Sequence, residues 1–199
     1  MTTTTPTQSV FLLGSFSTIV RAMELAAVAH RHQTRKGTEI PYIVHPFSVA
    51  VLLLNAGCSH EIIAAGILHD VLEDTTVSYE TLRQEMGREI AEIVRQCSEP
   101  DKSQPWETRK REKIEYLREA PLAVKLVTAA DKIDNLRSIA TDRQKVGESV
   151  WDRFRRGREQ QEWYYREATT SLMHGLPQEA DRAMFVELQR QVEMVFGEA

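Results

Sequence analysis

The stretch G-I-L-H-D-V-L-E-D-T, residues 66–75, sets a histidine beside a carboxylate, His69 and Asp70, in a run that is otherwise apolar. Burying an ionised carboxylate there requires an opposite charge or a metal ion, and histidine is the commonest neutral nitrogen ligand for a divalent cation. Glu73 and Asp74 follow four residues after His69 and Asp70, so on a continuous helix all four polar groups project towards one side. A His-Asp doublet by itself is more often part of a charged helix surface. Its meaning depends on what the rest of the chain brings to it.

Working outward, the flanking segments read as helices. Ser59 caps a helix through Ile62, Ile63, Ile67 and Val71, and Ser78 caps another that ends near Gly87. Upstream, Phe16, Ile19, Val20, Met23, Ala26 and Ala27 have the spacing of one buried helical stripe. Pro46 suits the first turn of a helix carrying Phe47, Val49, Ala50, Leu53 and Leu54, which Gly57 stops. Residues 88–97 continue as helix, and S-E-P-D-K-S-Q-P-W, 98–106, is the clearest internal loop. A helix resumes near 107. Pro121 opens a long amphipathic run through Ile139, another helix spans about 158–174 before Gly175 and Pro177, and a last one reaches Phe196. No alternating strand pattern competes, so the expectation is an all-α, compact helical bundle: a loose Thr-rich tail over residues 1–14 and one domain over 15–199.

Composition narrows the function. The chain has 199 residues with 25 Lys plus Arg against 29 Asp plus Glu, a formal net charge of −4, so no general field favours a nucleic acid or an anionic membrane. Polyanions must be met by a local patch. Two cysteines, Cys58 and Cys97, make neither a disulfide framework nor a zinc ribbon, and no apolar run approaches a membrane span or a signal peptide. The reading is a cytoplasmic protein without nucleic-acid or membrane partners, with room for a homo-oligomer.

Two further positions give the doublet its sense. His45 precedes Pro46, which biases it towards an extended conformation at the mouth of a helix, aimed inward. Asp131, Asn135 and Ser138 share one polar face of an otherwise apolar helix. His45, His69, Asp70 and Asp131 together offer two imidazoles and two carboxylates, a donor set better suited to manganese, iron or zinc than to calcium or magnesium.

The H…HD…D arrangement, with H-R-H-Q-T-R-K-G-T-E-I-P-Y-I-V-H-P (30–46), H-D-V-L-E-D-T (69–75) and A-A-D-K-I-D-N-L-R (129–137), resembles the HD-domain hydrolases of the RelA/SpoT group over residues 20–175. The size resembles the stand-alone small alarmone hydrolases. The resemblance implies that His45, His69, Asp70 and Asp131 bind one Mn2+, and that Glu73 and Asp74 position or activate the attacking water. It implies removal of the 3′-pyrophosphate from guanosine tetra- or pentaphosphate, a small nucleotide substrate. Arg35 and Lys36 match a pair that meets base and phosphates, and Asn135 a nucleotide-contacting amide. Ser138 shares that face, and Arg158 and Tyr164 resemble late-helix positions. Among Arg153, Arg155, Arg156 and Arg158, one or two suit phosphate; Trp163 and Tyr165 suit the core. His30, His32, His60 and His174 read as surface or supporting residues. The Gly-Val-Thr-Lys stretch of the long enzymes is absent, with Cys97-Ser98-Glu99-Pro100 near its place. Alternatives are therefore hydrolysis of adenosine counterparts or of a nicotinamide dinucleotide phosphate, and a non-catalytic nucleotide sensor.

Overall fold

The computed structural model describes residues 6–99, 102–177 and 182–197. Residues 1–5 of the expected tail, 100–101 of the expected loop and 178–181 before the last helix lie outside them. The helices run in the order α1 Pro6–Ala29, α2 Val44–Asn55, α3 His60–Leu68, α4 Val71–Asp74, α5 Tyr79–Met86, α6 Arg88–Cys97, α7 Trp106–Glu119, α8 Leu122–Val146, a 3-10 helix Gly147–Arg153, α9 Gly157–Met173 and α10 Ala183–Phe196. Among the described residues there is no strand beyond an isolated bridge between Thr34 and Pro41. The all-α expectation holds.

Local signals explain several boundaries. The Ser59 hydroxyl accepts from the Ile62 N–H and that of Ser78 from the Thr81 N–H, each satisfying an orphan donor of a first helical turn. Three expectations are corrected. First, α1 starts at Pro6 rather than after residue 14. Proline suits a first helical position, and extending an established helix adds one hydrogen bond per residue fixed. Second, the helix from Ser59 does not run through to Val71: it ends at Leu68, His69 forms its C-cap, and a new turn begins at Val71. Third, His45 is helical rather than extended, sitting within the first turn of α2, where its N–H donates to the Tyr42 carbonyl at 2.9 Å.

Helix α8 is the axis. Helices α2, α3, α6, α9 and α10 all pack on it, while α1 lies along α3 and α7 along α9. Val124, Val127, Ala130, Ile133, Leu136 and Ile139 of α8 are buried, which leaves Asp131, Asn135 and Ser138 on faces turned to the interior cleft. Helices α2 and α3 approach closely at Gly66, where a methyl group would collide with Leu53 Cδ1. Between α1 and α2 the chain makes a tight turn: Arg35 N–H donates to Ile40 O at 2.8 Å and Tyr42 N–H to Gln33 O at 2.9 Å. Gly37 supplies the positive φ of 78° that the turn requires, and the turn holds Arg35 and Lys36 against the bundle.

Phe185 of α10 is fully buried against this core. Phe185→Ala should destabilise the protein by about 3–5 kcal/mol, lowering Tm by about 2–4 °C per kcal/mol. Thermal unfolding followed by circular dichroism checks this; a Tm within a degree of wild type would contradict the placement of α10.

Candidate metal centre and nucleotide cleft

Four elements bring the polar groups together: α2 supplies His45, the α3–α4 junction His69 and Asp70, and α8 Asp131. His45 Nε2 lies 3.3 Å from Asp131 Oδ1 and 3.7 Å from Asp70 Oδ2. His69 Nε2 lies 3.0 Å from Asp70 Oδ2 and 3.7 Å from Asp131 Oδ1. The break in the helix makes this possible. Adjacent residues on an uninterrupted helix point about 100° apart, and the break at 69–70 lets both side chains meet one point.

The imidazole orientations are fixed from behind. His45 Nδ1 donates to Asp134 Oδ2 at 2.6 Å, and His69 Nδ1 donates to the Gly66 carbonyl at 2.8 Å. Both partners only accept, so both Nδ1 atoms carry a proton and each Nε2 faces the carboxylates, able to ligate a cation once it gives up its own proton. His69 Nε2 is buried with no hydrogen bond: Asp70 is near enough for attraction and misaligned for bonding. An orphaned buried nitrogen converging with a second imidazole and two carboxylates fits a divalent cation. His45, His69 and Asp131 offer donor atoms within 4.8 Å of one another. Asp70 sits beside them and accepts a short hydrogen bond from the Tyr42 hydroxyl. Asp131 accepts from Asn135 Nδ2 at 2.5 Å and pairs with Lys132 Nζ at 2.8 Å.

The metal-free cluster is electrostatically tense. Burial opposes the charged form of both histidines, yet Asp70, Asp131 and Asp134 outweigh it and hold both above their ordinary value. Burial likewise works against charge on Asp70 and Asp131, and His69, His45 and Lys132 overcome it, holding both below the usual carboxylate range.

Glu73 and Asp74 border this cluster on α4. Burial first, then the Asp70 charge, pushes the Glu73 carboxyl up, against the pull of Lys102. Lys102, from the α6–α7 loop, donates to Asp74 Oδ1 at 2.6 Å and to the Glu73 carbonyl at 2.9 Å. The Glu99 N–H donates to Glu73 Oε2 at 3.2 Å, and the Glu99 carboxylate is gripped by Arg109 and Lys110. That loop therefore fixes the position of both acids.

The cluster floors an inner cavity of about 200 Å³, and Tyr42, His45 and Asn135 also border an outer cavity of about 260 Å³. Arg35, Lys36 and Ser138 line the outer cavity, and Tyr164 lines the inner one, buried beneath Lys110 and Lys132. Arg158 is the exception. It lines neither cavity: it donates to the Phe196 carbonyl at 2.9 Å and pairs with Glu162, capping the end of α10. Of the arginine cluster, Arg153 faces the outer cavity, bound to Asp142 at 2.7 Å beside Phe154. Tyr165 lines the outer cavity besides packing in the core. His30, buried behind Tyr42 at a ring distance of 4.9 Å, supports the site, whereas His32, His60 and His174 border neither cavity. The sequence alone does not single out Tyr42, Asp134, Lys110, Lys113 or Lys132. The A-A-D-K-I-D-N-L-R segment carried a signal for two of them, since Lys132 and Asp134 are polar positions flanking Asp131 in an apolar helix.

A family model described as an HD domain matches residues 22–158. The chain belongs to the HD-domain family. Among HD-domain relatives, it is 38% identical over 128 residues to the zebrafish (Danio rerio) guanosine-3′,5′-bis(diphosphate) 3′-pyrophosphohydrolase MESH1, covering 63% of this chain and 71% of that one. It is 35% identical over 127 residues to the Escherichia coli K12 bifunctional (p)ppGpp synthase/hydrolase SpoT, 61% of this chain but only 18% of that one. The fold matches a solved metazoan ortholog of SpoT reported to hydrolyse ppGpp, with a TM-score of 0.75 at 27% identity over 91% of this chain and 97% of the other. It also matches the Listeria monocytogenes protein lmo0812, with a TM-score of 0.73 at 36% identity over 77% and 99%.

Two expectations follow from this HD site. A divalent transition metal at about 100 times its Kd should stabilise the protein by about 2.7 kcal/mol, raising Tm in wild type and not in His69→Ala; equal shifts in both would remove the site. Without metal, the stabilisation from the raised histidines is full below pH 6.5 and drains as pH rises through their folded values. That from the lowered aspartates is present above pH 3.8 and lost as acid titrates through theirs. In chelator, Tm should therefore fall from pH 6.5 upward in wild type, with a shallower slope in His69→Ala; parallel slopes would contradict the charge balance.

Proposed function

We propose that the chain is a manganese-dependent hydrolase that removes the 3′-pyrophosphate from guanosine tetra- and pentaphosphate, working in the cytoplasm as a single domain. The observation that carries this reading is the adjacency of two kinds of chemistry in one cleft. Two fixed imidazoles and two carboxylates converge beside Glu73 and Asp74 at the inner end, and Arg35, Lys36 and Arg153 stand at the outer end. The names of the MESH1 relatives support the substrate, and the mixed nitrogen and oxygen donors support manganese.

On this reading His45, His69, Asp70 and Asp131 hold the ion. When bound, it supplies charge stabilisation at the phosphoryl group and acidifies an attacking water. Glu73, whose carboxyl is raised by burial, accepts a proton from that water, and Asp74 orients it while Lys102 holds Asp74 in place. Lys110, Lys113 and Lys132 line the same inner cavity and offset the charge of the pyrophosphate as its bond to the ribose 3′-oxygen breaks. Asn135, bonded to Asp131, stands where the two cavities join and is placed to meet the ribose side of the nucleotide. In the outer cavity the planar guanidiniums of Arg35 and Arg153 suit a base, and the Lys36 ammonium suits a phosphate, with Ser138 adding a hydroxyl. No nucleic-acid or membrane partner is required.

Purified protein with Mn2+ should release pyrophosphate from guanosine tetraphosphate. Glu73→Ala and Asp74→Ala should each lower kcat by about a hundredfold or more while keeping the metal-induced rise in Tm. No pyrophosphate from this substrate, with turnover of adenosine counterparts or a nicotinamide dinucleotide phosphate, would remove the substrate; unchanged kcat in both variants would remove the carboxylate roles.

A further inference from the structure

Asp134 belongs to neither the metal set nor the nucleotide set, yet it touches both. Its Oδ2 accepts from Arg35 Nη1 at 2.8 Å and from His45 Nδ1 at 2.6 Å, so a single oxygen serves two donors. The side chains of Arg35, Asp134 and His45 are 15%, 16% and 3% exposed, which leaves little water to screen the contact. Arg35 reaches Asp134 from the turn before α2 and lines the outer cavity, whereas His45 turns its other nitrogen to Asp70 and Asp131. The two donors lie on opposite sides of one carboxylate.

We propose that Asp134 is a positioning residue that couples the outer cavity to the metal centre, because Arg35 and His45 divide one carboxylate oxygen between them. This rests on the reading above that His45 holds a cation. A carboxylate accepting the Nδ1–H of an imidazole makes the opposite nitrogen a better metal donor. A guanidinium on the same oxygen draws off part of that effect, since both are charge-assisted contacts to one set of lone pairs. When a nucleotide engages Arg35, by stacking under the base or by a phosphate contact, the carboxylate turns wholly to His45 and His45 Nε2 strengthens as a donor. Nucleotide and cation therefore bind with positive linkage, and the linkage is reciprocal. Before the nucleotide arrives, the same contact keeps Arg35 pre-positioned on the cavity wall.

Calorimetric titration of metal-stripped protein with MnCl2 tests this without any turnover. Asp134→Asn, close to isosteric, should weaken Mn2+ binding about 10- to 100-fold, with metal-free Tm lowered because Arg35 and His45 lose their charged partner. Arg35→Ala, which touches no metal-binding side chain, should tighten Mn2+ binding about fivefold or more. In the Asp134→Asn background the same Arg35→Ala change should alter affinity by no more than about twofold. Lys36→Ala removes an equal charge from the same cavity without contacting Asp134, and should leave Mn2+ affinity within about twofold of wild type.

Equal effects of Arg35→Ala in both backgrounds would show a through-space charge effect and overturn the coupling, as would no effect in wild type. If Asp134→Asn fails to fold, the comparison of Arg35→Ala with Lys36→Ala decides alone, and similar shifts in the two overturn the proposal. Wild type that binds no Mn2+ would sink the metal reading itself. Wild type that binds Mn2+ with Arg35→Ala unchanged sinks only the coupling.

Discussion

The structure turns on one constraint: two imidazoles and two carboxylates held inside an apolar bundle must satisfy one another. Left alone, each would be costly to bury. Together they form a cluster in which the histidines are drawn towards charge by the aspartates and the aspartates are kept ionised by the histidines and Lys132. What remains unsatisfied is one nitrogen, His69 Nε2, in the middle of the group. A cation answers that deficit, and the supports behind His45 and His69 leave the correct nitrogens free to meet it.

That centre imposes order on its surroundings. The α3–α4 break that aims Asp70 also starts the short turn carrying Glu73 and Asp74, so the acids beside the cluster are placed by the same few residues. The α6–α7 loop closes over them through Lys102 and Glu99. A chain of net charge −4 thereby concentrates Lys110, Lys113 and Lys132 around one cavity and Arg35, Lys36 and Arg153 around the next. Such local cations, in a chain of overall acidity, suit a compact polyphosphorylated ligand. The relatives of matching size are named as enzymes acting on such a molecule.

Legibility in the sequence followed the range of the interaction. The caps at Ser59 and Ser78 involve groups three residues apart, and the residues alone announced them. His45, His69, Asp70 and Asp131 were legible because a histidine-aspartate doublet in an apolar helix is expensive and its partners had to exist somewhere. The arginine cluster was visible as a cluster, but the 3-10 turn, not composition, decided that Arg153 faces the cleft while Arg158 caps α10. Asp134 sits three residues from Asp131 and looked like an ordinary polar helix position. Its double contact exists only because the 34–41 turn and the start of α2 both close against α8.

By itself, then, the sequence determined the helical class, the majority of the helix boundaries and the polar residues too costly to bury singly, since these depend on periodicity, capping and transfer energies within a few turns. The tertiary structure alone decided where the helix breaks at 69–70, which nitrogen of each histidine is free, and which of several cations meet the cavity. Those outcomes depend on distances between segments up to about a hundred residues apart, and side-chain directions there follow the packing of whole helices rather than any local preference.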